Sequence, residues 1–248
     1  GRNEQVRQVS KLGNPLGGAV RRTYLLHQPA TDYYWEWRSC DSLYLVSEHR
    51  LIAGREADYL RAVRHILFLR FNVYAALPLY RLAVHHQDPR HIITLARLRS
   101  KEEVVQIDYL LNEEYWEIFR ELVEPGSRRA GWFVPRRDID NFAVRPDLVA
   151  VSRRQAEAAT LERLLDYHLH LQQHCIKLPG VAACRLLVSE ERPPEVVFVV
   201  EYTSAVKELL SHEIKAFRER WGLAPATSFL GTIHLFGELA AAPPPEPI

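Results

Sequence analysis

His91-Ile-Ile-Thr-Leu-Ala-Arg-Leu-Arg-Ser-Lys-Glu-Glu103 reads as a strand that runs directly into a helix. Ser100 and Glu103 stand at capping-box spacing, a hydroxyl and a carboxylate placed to satisfy the free N–H groups of a first helical turn. The same grammar returns in Glu195-Val-Val-Phe-Val-Val-Glu-Tyr-Thr-Ser204. There a β-branched and aromatic run is followed by Thr203 and Ser204, which cap a helix carrying Val206, Leu209, Leu210, Ile214 and Phe217 at helical spacing. A strand-to-helix joint written twice predicts a supersecondary unit present in two copies.

Working outward, the remaining elements fall into matching order. In the first copy Leu43 to Leu51 alternates as a strand, Gly54 breaks it, and Arg55 to Leu69 places Ala57, Leu60, Val63 and Leu67 on one helical face. Leu77 to His86 is a second strand, turned by Asp88-Pro89 into the third. In the second copy Leu148 to Ser152 leads to a long helix with the stripe Leu161, Leu164, Leu165, His168 and Leu171. Pro179-Gly180 ends it, Val181 to Val188 is the next strand, and Glu190 to Pro194 makes the turn. Phe229 to Leu239 closes the copy; its counterpart near Trp132 to Val134 is short. Each copy is a split β-α-β unit. The expected organisation is an aromatic arm over 1–42, a first ferredoxin-like domain over 43–134, a linker over 135–146, a second such domain over 147–239 and a proline-rich tail over 240–248.

Composition bounds the function more than it defines it. With 248 residues, 47% hydrophobic and 25% charged, the chain has globular values and enough length for two cores. A net charge of +1 argues against a broad surface for nucleic acid or anionic membrane. No apolar run approaches the ~20 residues that span a bilayer, and no signal-peptide pattern is present, so a soluble cytoplasmic protein is expected. Cys40, Cys175 and Cys184 are too widely spaced for a CxxC zinc site and read as buried reduced thiols. Tyr33, Trp35 and Trp37 alternate with Tyr34, Glu36 and Arg38, the pattern of a half-buried strand in the arm.

Leu51-Ile-Ala-Gly-Arg-Glu-Ala-Asp-Tyr-Leu60 and Leu95-Ala-Arg-Leu-Arg-Ser-Lys-Glu-Glu103 resemble the strand-glycine-helix entry and the strand-Ser-Lys-Glu helix start of the dimeric α+β barrel superfamily, in its antibiotic-biosynthesis-monooxygenase-like branch. Val200-Glu-Tyr-Thr-Ser204 is similar in the second copy. The resemblance implies an α+β fold in which two tandem ferredoxin-like β-α-β-β-α-β units pair as an intramolecular barrel, covalent linkage giving the second unit a high effective concentration. Further homodimerisation stays open. It also implies a cavity, between helices and sheet or within the paired sheets, for a small apolar or aromatic molecule. Some relatives oxygenate such substrates without metal or flavin; others bind or degrade haem.

Catalysis would need a polar group able to take a substrate proton in an apolar pocket. His49, His85 and His234 lie in or beside strands, and alternation sets Arg81, Ala83 and His85 on one sheet face with Tyr80, Leu82 and Val84 on the other. His85, Arg81, His49 and His234 are therefore the catalytic candidates. His170 and His174 have the i,i+4 spacing of helical metal ligands, but the glutamate and third ligand of such motifs are missing, so no metal is expected. No cofactor is expected either, haem being the alternative. The competing reading is a non-catalytic interaction or sensor protein whose aromatic arm joins a partner.

Overall fold

The computed structural model of the chain describes residues 22–26, 33–37, 43–64, 79–98, 117 and 119–238. The chain divides into two compact units. A first unit takes in Asp41–Phe133 with Gly231–Ile248, and a second takes in Gly1–Cys40 with Val134–Leu230. Strands β1 (Arg22–Leu26) and β2 (Tyr33–Trp37), which pair antiparallel, belong to the second unit.

The first unit is built on the first sequence copy. Its elements are β3 (Leu43–Arg50), α1 (Glu56–Arg64), β4 (Leu79–His85), β5 (His91–Leu98) and the leading part of β6 (Arg129–Asn141). These strands pair antiparallel in the order β6-β3-β5-β4, the ferredoxin-like arrangement expected of a split β-α-β unit. The later residues of β10 (Thr227–Glu238) add to the edge at β4, with a bulge between Ile233 and Leu235. Gly54 enters α1 at φ +78°, a backbone state that glycine adopts without a Cβ penalty. Leu51, Tyr59, Val63, Leu82, Ile92 and Leu122 form the apolar layer between α1 and the sheet. The remainder of the expected Arg55-to-Leu69 helix and the Ser100–Glu103 helix start fall outside the described residues.

The second unit repeats the plan with β7 (Leu148–Gln155), α2 (Leu161–Cys175), β8 (Val181–Ser189), β9 (Glu195–Tyr202), α3 (Lys207–Arg220) and the first residues of β10. The order is β10-β7-β9-β8, again antiparallel where β7, β9 and β8 meet. β8 also lies beside β6, and β2 pairs with Ile139–Asn141 of β6. Every residue of β8 and β9 is buried, so their sequences read as continuous apolar runs with charges only where a partner waits. Leu186, Phe198, Val200 and Tyr202 face Leu164 and Leu171 of α2. Burying side chains of this size contributes about 1.5–3 kcal/mol each.

On the opposite face of the same strands stands a buried ion cluster. The Arg185 side chain is 0% exposed and reaches Asp140 at 2.6 Å, Glu201 at 3.1 Å and Asp138 at 3.4 Å. Arg153 and Glu195 pair nearby in sequence register at 3.2 Å, also buried.

Two expectations change in detail. The closing strand near Trp132 to Val134, read as short, runs instead for 13 residues, because Asp138 and Asp140 find Arg185 as a buried partner. The helix entry after β9 is not capped by a Thr203 or Ser204 hydroxyl. Asp147 Oδ1 accepts from the Ser204 N–H at 2.7 Å instead. The Gly180 turn is confirmed with a reason: φ is +86°, and a Cβ there would come within 2.7 Å of Thr203 Oγ1 and 2.9 Å of Val206 Cγ1.

Breaking the cluster by Arg185→Met leaves Asp138, Asp140 and Glu201 buried without their guanidinium. Removal of one partner from a buried charge set costs about 3–5 kcal/mol, so the urea midpoint of the variant is expected to fall by an amount that corresponds to that loss. An unchanged midpoint would show that the cluster is energetically neutral.

Candidate functional site

Between α2, α3 and the sheet of the second unit lies a cleft of ≈ 310 Å³. Its floor comes from the helix-facing residues of β7 and β9, Ala150, Ser152, Phe198, Val200 and Tyr202. α2 contributes Tyr167, His168 and Leu171, and α3 contributes Leu210, Ser211, Ile214, Lys215 and Arg218. The start of β10 closes one end through Ser228, Phe229 and Leu230. The periodicities explain the gathering. Residues at 150, 152, 198, 200 and 202 share a sheet face by strand alternation, and 210, 211, 214, 215 and 218 share a helix face at three- and four-residue spacing. The volume sits at the small end of the range for specific ligand pockets, about 300–1,000 Å³.

His168 gives this cleft its chemistry. It is 2% exposed, with its ring beside Tyr167 at 4.7 Å and Phe198 at 5.4 Å between centroids. Its Nδ1–H donates to the Leu164 carbonyl one helical turn back, at 2.8 Å. A carbonyl only accepts, so that bond places the proton on Nδ1 and leaves Nε2 with a free lone pair. Burial lowers the imidazole to about 4, helped by the positive charge of Arg154 and opposed by the Leu164 hydrogen bond. At neutral pH His168 is therefore an uncharged acceptor on the wall of an apolar cleft. Tyr167 and Tyr202 are pushed the other way: burial raises both, Tyr202 to about 12, so their hydroxyls remain protonated.

The predicted candidates lie elsewhere and do not converge. Arg81, Ala83 and His85 occupy the face of β4 turned away from the Tyr80, Leu82 and Val84 layer, as alternation required. Arg81 is buried and donates from Nη1 to its neighbour's carbonyl, Tyr80 O, at 3.0 Å. His85 stacks on His91 at 5.3 Å, and His91 Nε2 meets Glu48 Oε1 at 2.5 Å. His49 belongs to the other face of the first unit's sheet. Its Nε2 is 2.9 Å from Tyr59 Oη, its ring packs edge-on against Tyr59 and Phe119, and burial lowers it to about 4. His234 stands exposed at the β10 bulge. None of these four lines the cleft.

His170 and His174 are each engaged separately. His170 Nδ1 donates to Asp166 O at 2.8 Å, whereas His174 Nε2 meets Glu213 Oε2 at 2.7 Å and its hydrogen bond holds that carboxyl below its ordinary value. Among the described residues no group of three His, Cys, Asp or Glu could hold a metal ion. No helix among them is long and apolar enough to cross a membrane. Cys175 and Cys184 are buried, with the Cys175 thiol pushed up to about 12 by burial. In the sequence His168 belongs to the apolar stripe of α2 and reads as a core residue. The usable signal was a histidine inside an apolar stripe whose i−4 neighbour, Leu164, offers its carbonyl.

No protein-family model matches the sequence, and no curated protein sequence does. Solved structures do match. A protein provisionally named a monooxygenase from Fusobacterium nucleatum superposes with a TM-score of 0.67 at 9% identity, over 80% of this chain and 95% of that one. A second provisional monooxygenase, from Lactobacillus acidophilus, gives 0.61 at 10% identity over 80% and 97%. An anthrone oxidase-like protein gives 0.60 at 11% identity over 81% and 94%. These proteins share with this chain the fold described above, with its two ferredoxin-like units in tandem. Identity this low speaks to fold alone.

The protonation state of His168 has a thermodynamic signature. Its folded value of about 4 lies below the ordinary 6.5, so between those values the unfolded chain binds the extra proton. Stability contributed by the neutral ring is complete above about 6.5 and is lost as pH falls toward 4. His168→Asn has no such dependence. The stability advantage of the native chain over this variant should therefore shrink by about 1–2 kcal/mol between about pH 7 and pH 5, measured by urea unfolding of both proteins; a pH-independent difference would contradict the assignment.

Proposed function

We propose that the cleft of the second unit binds a small aromatic molecule with an acidic C–H or O–H, and that His168 takes that proton so that dioxygen oxidises the resulting anion without metal or flavin. The observation that carries this reading is the neutral His168, its Nδ1–H tied to Leu164 and its Nε2 left as acceptor in an apolar cavity. Two structural neighbours are provisionally named monooxygenases and one anthrone oxidase-like, which supports an oxidative reaction of this kind.

The chemistry balances on a tricyclic anthrone. Nε2 removes a proton from the ring methylene, and the carbanion, delocalised onto the carbonyl oxygen as an enolate, reduces dioxygen. A C–O bond forms, the proton returns from His168 to give a hydroperoxide, and loss of water leaves the quinone. One oxygen atom enters the product carbonyl and the other leaves as water. The Tyr202 hydroxyl, still protonated and on the wall of the same cleft, would stabilise the enolate as a hydrogen-bond donor. Haem is less favoured. The ring that would ligate it, His168, is flanked by Tyr167 and Phe198 in a cavity of ≈ 310 Å³, less room than a tetrapyrrole with its propionates takes up.

A positioned general base contributes about 10²–10⁴-fold. Oxygen uptake with an anthrone in a Clark-type electrode should fall by at least about 100-fold in His168→Ala, while the variant retains its unfolding transition and its affinity for the quinone product. Equal uptake by native protein and variant, corrected for spontaneous oxidation, removes His168 as the base.

A further inference from the structure

Among the described residues the cleft is charged in one direction only: Arg154, Lys215 and Arg218 line it, and no aspartate or glutamate does. Among the described residues none of these three cations forms an ion pair with a carboxylate, whereas Arg153, Arg185 and Arg90 are each matched to an acid. Arg154 is half-buried on the helix-facing side of β7 and donates from Nη2 to the Ala224 carbonyl, which fixes the guanidinium without neutralising it. Its remaining N–H groups are uncommitted by that bond. Arg218 sits close enough for its charge to act on Arg154 and on the Tyr167 hydroxyl.

Two like charges held together beside an apolar cavity are unfavourable unless something negative joins them. Guanidinium groups offer paired N–H donors that match a carboxylate, and such charge-assisted bonds are among the strongest available to a small ligand. The cleft also carries aromatic and aliphatic surface from Phe198, Phe229 and Leu171.

We infer that the natural ligand is an aromatic carboxylate, its ring system against Phe198 and Leu171 near His168 and its anionic group held at the mouth by Arg154 and Arg218, with Lys215 adding a long-range attraction. This deepens the proposed function, since it rests on the same cleft, but it concerns recognition and is independent of whether oxygen reacts there. It separates this site from one that takes neutral aromatics by shape alone.

The test uses the full chain and a pair of non-oxidisable probes, 2-naphthoate and its neutral methyl ester, by isothermal titration at low salt. Naphthoate should bind about tenfold or more tightly than the ester. Arg154→Met and Arg218→Met, which keep an apolar stem, should each cut that ratio about fivefold or more without weakening the ester. Lys215→Met should cut it less, and about 1 M salt should narrow it. Ester binding equal to that of the acid, or an acid preference untouched by both arginine variants, overturns the inference. If neither probe binds, the cleft is not a ligand site and both readings fall. If the acid is preferred but no anthrone is oxidised, the recognition stands and the oxidation does not.

Discussion

The second unit depends on Arg185. Its guanidinium has no exposure and touches carboxylates from two strands other than its own: Asp138 and Asp140 of β6 and Glu201 of β9. A charge set of this depth is costly to desolvate and is retained only where geometry is fixed closely. The return is registry. β6, β8 and β9 cannot slide by one residue without moving a carboxylate to the wrong face, since strand side chains alternate with a period of two. The same alternation sends Leu186, Phe198, Val200 and Tyr202 to the other face, where they become the floor and core beneath α2 and α3. The ionic face and the helix-facing face are thus two sides of one constraint.

The two copies spend similar residues differently. Each carries a buried histidine on the helix side of its sheet, held neutral by burial at about 4. In the first unit His49 meets a side chain, Tyr59 Oη, at Nε2 and is packed against Phe119. In the second unit His168 commits Nδ1 to its own helix, and what lies beyond it is a cavity lined by ring faces and cations. A hydrogen bond to backbone fixes the tautomer while consuming no other side chain, and that difference separates a histidine serving packing from one available to a ligand.

Much of the architecture was legible because it rests on local periodicity. The alternation of β5 and β9, the break at Gly54, the turn at Gly180 and the stripe of α2 are all one-dimensional signals. The length of β6 was not legible, because Asp138 and Asp140 look like a solvated loop until Arg185, distant in sequence, is seen between them. The capping acceptor was missed for the same reason: Asp147 lies far along the chain from Ser204. The site was hidden more deeply. His85, Arg81, His49 and His234 are conspicuous as polar residues in strands, whereas His168 sits among leucines and matches a core residue on every local criterion. Only the union of β7, β9, α2 and α3 shows that the space beside it is open.

A base held near 4 would be a poor match for a weak carbon acid if it acted alone, since efficient proton transfer wants the acceptor's value near the working pH. The environment that lowers it, however, is not the environment in which it works. The depression comes first from burial and next from the charge of Arg154. An anionic group bound between Arg154 and Arg218 neutralises that second cause, and an enolate forming beside the ring favours the imidazolium directly. On the proposed reading, ligand binding would raise the basicity of His168 at the step that needs it, while the ring stays neutral in the free protein. The absence of a carboxylate from the cleft among the described residues has the same sense, because a resident acid would keep the imidazole protonated and unable to accept.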